Sequence, residues 1–109
     1  MRQTTVPVNV APEAAERIAE LDIQVEVDRM IDHAVKTVRG IRRVEIELMD
    51  PYEMYDEPHL SARAYRDLDL WGEVNPEVDQ FDNWKINTFS PAILWRFSLH
   101  IRPDAPNAG

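Results

Sequence analysis

The chain has 109 residues, with 12 Lys and Arg against 20 Asp and Glu, a formal charge of −8 and no cysteine. That length makes one domain with room for a single core, and the lack of cysteine excludes disulfides, thiolate metal sites and thiol nucleophiles. No apolar run approaches the ~20 residues of a membrane span, and residues 1–10 lack the apolar segment of a secretory signal, so the expected location is cytoplasmic.

In chain order, residues 1–10 and 103–109 read as tails, rich in Pro, Asn and small side chains, around a core of about 11–102. A first helix is predicted over about 12–20, with Pro12 as its first helical residue and Ala14, Ile18 and Leu21 on one face. Residues 21–27 alternate apolar and polar, as a strand does. Val27, Met30, Ile31, Ala34 and Val38, however, keep helical spacing on the side opposite to the first stripe. Two helices, about 12–20 and 24–39, with a turn at Asp22–Ile23 account for both facts, and a strand at 21–27 is the competing assignment. Gly40 stands where a helix-ending glycine belongs, and Arg39, Arg42 and Arg43 suit the negative end of the helix dipole.

From Ile41 the period becomes two. Val44, Ile46 and Leu48 face one way and Glu45 and Glu47 the other, a strand with one wet face. Residues 50–58, bounded by two prolines, form a loop. A second strand over His59–Leu68 is expected to pair with the first as a hairpin, placing Arg63 opposite Glu45 or Glu47. Residues 69–82 read as a polar connection broken by Gly72 and Pro76, and Trp84–Phe89 as a third strand. Ser90 and Pro91 start a helical turn, and Phe97–Arg102 alternates as a last strand. The predicted fold is α+β: one or two N-terminal helices packed on one face of a three- to four-stranded antiparallel meander. Trp84, Phe89, Trp95 and Phe97 supply the aromatic volume of its core.

Charge is the most uneven property of the chain. Residues 45–83 hold twelve carboxylates against Arg63 and Arg66, a net −10. Nucleic-acid binding, which needs a basic stripe, is disfavoured by that field. Three glycines cannot build a phosphate-cradling loop, and Ser61, Ser90 and Ser98 sit in no nucleophile elbow. Asp50, Asp56, Glu57 and His59, near Glu45, Glu47 and Glu53, have the donor types of a divalent-metal site, yet their spacing fits no coordinating template. His33 reads as a half-exposed helix histidine, and His100 belongs to the face opposite Leu99 and Ile101.

Tyr52 and Tyr55, by contrast, stand in a polar loop among Glu53, Asp56 and Glu57, and aromatics in acid make a surface for a basic protein. The sequence is therefore read as a non-catalytic interaction domain without a cofactor, using these five residues to bind a basic protein, self-associating as a homodimer, or both. No nucleic acid or membrane is among its expected partners. A divalent-metal-binding domain or small metal-dependent hydrolase on the 45–59 carboxylate and histidine cluster is the first alternative. A small-molecule site near Tyr65 and Trp84 is the second.

Overall fold

The structure is a computed structural model and describes residues 6–49 and 58–104. Its elements are β1 (Val8–Val10), α1 (Pro12–Leu21), α2 (Gln24–Thr37), β2 (Ile41–Met49), β3 (His59–Asp67), a 3₁₀ turn (Leu68–Leu70), α3 (Pro76–Thr88), α4 (Pro91–Arg96) and β4 (Phe97–Asp104). The four strands form one sheet in the order β1-β2-β3-β4.

The N-terminal helices fall where the two apolar stripes require. Asp22 takes a left-handed conformation (φ 56°, ψ 47°), and its N–H returns to the carbonyls of Ile18 and Ala19, which ends α1 and re-aims the chain. Val27, Met30, Ile31 and Ala34 of α2 are buried, so residues 21–27 join two helices and belong to no strand. Gly40 has φ +80°, a left-handed conformation that favours glycine, and a Cβ there would also have to displace the end of the Leu70 side chain. The hairpin also follows its pattern: β2 and β3 pair antiparallel with Val44 opposite Ala64 and Glu45 opposite Arg63. The Arg63 guanidinium lies 2.7 Å from Glu47 Oε2.

The rest of the sheet differs from the expected meander. It is mixed: β1 runs parallel to β2 and β4 parallel to β3, with only the central pair antiparallel. Parallel neighbours need a crossover, and two helical pairs supply them, α1–α2 between β1 and β2, and α3–α4 between β3 and β4. The predicted connection at 69–82 and strand at Trp84–Phe89 are thus largely one helix, α3. Pro76 is its first residue, a position that needs no N–H, and Glu77 and Asp79 in the first turn complement its dipole.

Residues 8–10 are likewise no tail, because β1 is held to β2 by Val8–Val44 and Val10–Ile46 register. At the other end β4 continues through Pro103 and Asp104, beside Arg66 and Asp67.

One core lies between the helices and the inward sheet face, where Val44, Ile46, Leu60, Ala62, Ala64, Phe97, Leu99 and Ile101 are buried. Phe81 of α3 is fully buried there, and Phe89 and Phe97 join it. Trp84 only packs against the edge of this core, and Trp95 is 58% exposed, so neither is the interior residue expected. The strand expected over His59–Leu68 stops one residue earlier, at Asp67; Leu68 opens the 3₁₀ turn, and Arg66 takes the last inward position.

Candidate functional site

The central hairpin positions the segment on which the sequence reading placed the partner surface. Met49 and His59 face each other at the end of the β2–β3 ladder, so residues 50–58 leave and re-enter at one point. Asp50, Tyr52, Glu53, Tyr55, Asp56 and Glu57 lie outside the described residues. Of the proposed metal donors, His59 alone is described. It is half-buried at the start of β3, on the face away from the core. Glu45 and Glu47 are engaged by Arg43 (3.2 Å) and Arg63. Among the described residues no group of three or more His, Cys, Asp or Glu comes close enough to hold a metal ion.

The described carboxylates of the acidic stretch do not gather at one end of the sheet. β3 is nine residues long, which separates its ends by roughly 26 Å at about 3.3 Å per residue. Residues 50–57 attach at one end, while Asp67, Asp69 and Glu73 follow the other. The distance between the two ends of β3 is about three times the ~8 Å screening length at physiological salt.

At the second end the charges are tied together. Arg66, 3% exposed, donates from Nη2 to Glu77 Oε1 (2.6 Å) and from Nε to the Arg39 carbonyl (2.9 Å). Arg39 donates its backbone N–H (3.1 Å) and its Nε (2.8 Å) to the same carboxylate. The Arg39 backbone N–H is the main reason that the Glu77 carboxyl titrates below its ordinary range. Arg43 spans Glu45 and Asp104 (2.6 Å) and lies 4.0 Å over the Tyr65 ring. These arginines join α3, the sheet and the α2–β2 junction through ion pairs.

Three other titratable groups are perturbed: Lys85 on α3, His33 on α2 and, exposed on the outer face of β4, His100. The Lys85 ammonium, 6% exposed, donates to the Leu99 carbonyl on β4 (2.9 Å), with Ser98 Oγ at 3.5 Å and Asp82 at 3.7 Å. Burial pushes its pKa down, against a smaller upward pull from Asp82. His100 is pushed down by burial first, then by Lys85 and Arg102. His33 stacks on Trp84 with ring centroids 3.7 Å apart and planes 8° from parallel, and burial lowers its pKa with help from Lys36.

The expected small-molecule site is not formed. Tyr65 points to the outer sheet face beneath Arg43, whereas Trp84 is on the helix side, with the sheet between them. An apolar groove of about 280 Å³ lies elsewhere, between β1 and the α1–α2 pair, lined by residues that include Val8, Val10, Ile18 and Val27. The signal that marks it in the sequence is Val8-Asn9-Val10, an alternating triplet between Pro7 and Pro12. The chain matches no protein-family model, no curated protein and no solved structure. No helix among the described residues is long and apolar enough to cross a membrane.

Proposed function

We propose that this chain is a non-catalytic interaction domain that binds a basic protein through residues 50–57. Tyr52 and Tyr55 act as the apolar anchors, and Glu53, Asp56 and Glu57 supply the attracting field. The observation that supports this reading is how the described arginines are used. Arg39, Arg43, Arg63 and Arg66 each hold a carboxylate on the sheet, on β4 or on α3. They fasten the scaffold together, so the chain's excess negative charge is left to act outward. Of the groups that could serve as bases, His33 stacks on Trp84 and Lys85 donates to a main-chain carbonyl.

The test is capture of the partner from the native source, followed by association kinetics at two salt concentrations. Association should slow as salt rises, because exposed carboxylates attract at a distance and are screened. Glu57→Gln should lower the association rate about twofold. Tyr55→Ala should raise the dissociation rate about tenfold or more, as the loss of an interface anchor does. An acidic partner, or rates indifferent to salt and to both substitutions, would reduce the 50–57 segment to a solubilising loop.

A further inference from the structure

The two outer strands of the sheet are treated differently. Along β4 the Lys85 ammonium occupies the Leu99 carbonyl, and Pro103 has no N–H to offer. A buried cation and the neighbouring Arg102 also make that edge unfavourable for a basic chain. β1, the opposite outer strand, bonds inward through alternate residues. The Pro7 carbonyl accepts from Val44 N–H (3.0 Å), Ala11 N–H donates to the Ile46 carbonyl (3.0 Å), and Asn9 sits opposite Glu45. In a parallel ladder the intervening residues turn their peptide groups the other way. The N–H and C=O of Val8 and Val10 therefore point out of the sheet.

Depressions lie on both faces of this same strand. On the helix side is the apolar groove, whose lining includes Val8, Val10, Ile18 and Val27 with a single carboxylate, Asp28. Among the described residues Asp28 meets no cation; the Gln24 amide donates to it at 3.0 Å. On the outer side a depression of about 330 Å³ is lined by Asn9, Val10, Glu45 and Glu47 among others, and its two carboxylates also meet Arg43 and Arg63 in partly exposed pairs. Side chains of an extended chain alternate between two such faces.

We propose that β1 is the docking edge for an extended segment of a basic partner. That segment adds as a fifth strand, with alternate apolar side chains in the groove of Val8, Val10 and Ile18 and alternate Lys or Arg side chains toward Glu45 and Glu47. Main-chain bonds to Val8 and Val10 supply affinity, and the two depressions supply the apolar–basic alternation that selects the segment. Pro7 and Pro12 bracket the edge and limit it to four outward peptide groups, so this contact supplements a larger interface. The partner's basic character rests on the function proposed above; the strand geometry does not.

The probe is an acetylated, amidated heptapeptide in which four lysines alternate with three leucines, compared with its block isomer of identical composition. Each is titrated into the isotope-labelled full chain and followed by amide resonances and hydrogen exchange. The alternating isomer should bind about tenfold more tightly and protect the amides of Val8 and Val10. Val10→Pro removes one outward N–H while sparing the ladder to β2, and should weaken binding about tenfold. Glu47→Gln should weaken it about twofold, and less at high salt. Methylating the edge-facing amides of the peptide should abolish the preference for the alternating isomer without touching the protein, which keeps the test valid should Val10→Pro misfold. Equal affinity of the two isomers overturns the proposal, as does perturbation confined to residues 49–59, a result that leaves the 50–57 reading standing. Concentration-dependent protection of Val8 and Val10 without peptide would name a second copy as the occupant and also overturn it. Edge protection by the peptide, beside partner kinetics indifferent to Tyr55→Ala and Glu57→Gln, would keep this site and discard the loop.

Discussion

Between β1 and β2 the helices bury Ala14, Ile18, Val27, Met30, Ile31 and Ala34, all uncharged. Between β3 and β4 they bury Phe81 and Phe89 together with Lys85, and β3 ends its inward row in Arg66. The first crossover rests on aliphatic packing, which is non-directional and tolerates a groove beside β1. The second contains two cations whose burial is tolerable only with matched partners. The two cations are not equally well matched. The Arg66 guanidinium meets a carboxylate and a carbonyl at 2.6 and 2.9 Å, while Lys85 has one good acceptor and a carboxylate at 3.7 Å.

The sharpest way to break this contrast is Arg66→Met. It strips a donor from the Arg39 carbonyl and one cation from Glu77, and should cost about 2–3 kcal/mol in urea denaturation. Lys85→Met should stay within about 1 kcal/mol of the parent, because removing a poorly compensated buried charge offsets the lost bond to Leu99. Equal losses from the two substitutions would show that Lys85 is as well satisfied as Arg66, and the contrast within the second crossover would fail.

The smallest expected effect is on pH dependence. The folded pKa of His33 lies below its ordinary 6.5, so the unfolded chain takes up the proton first as pH falls. The associated stability is full above pH 6.5 and is lost below it. His100 acts with the same sign, whereas Glu77, held below 4.5, stays ionised at both test values. The urea midpoint should therefore be lower at pH 5.5 than at pH 7.5, and His33→Gln should shrink the difference. A midpoint that rises on acidification would show that protonated His33 is the better-accommodated form over Trp84.

The difference between the crossovers also explains what the sequence made legible. β2 alternates cleanly from Val44 to Leu48, past a register shift between Ile41 and Arg43, and the two stripes of α1 and α2 are disjoint enough to place the turn at Asp22. In α3 the inward row is Val78, Phe81 and Lys85, and a lysine at a core position erases the periodicity that would have shown a helix. Gly72 and Pro76 then look like breakers, although Pro76 opens the helix. Once α3 is missed, β4 has no crossover and a meander is the remaining way to connect it to β3. β1 escaped notice because three residues between prolines carry too little pattern. The proposal of a partner surface at 50–57 rests on composition and on the hairpin that flanks the segment.

Because Met49 and His59 stand opposite each other in the ladder, the intervening segment starts and finishes at the same place. The entropy of closing such a loop grows only with the logarithm of its length, about 0.6 kcal/mol per doubling. Insertions, deletions or wholesale replacement between these two residues leave every strand register and the buried arginine untouched. Descendants of this chain can thus vary the segment between Met49 and His59 while inheriting the same sheet, and a designer can graft a foreign epitope there on the same terms.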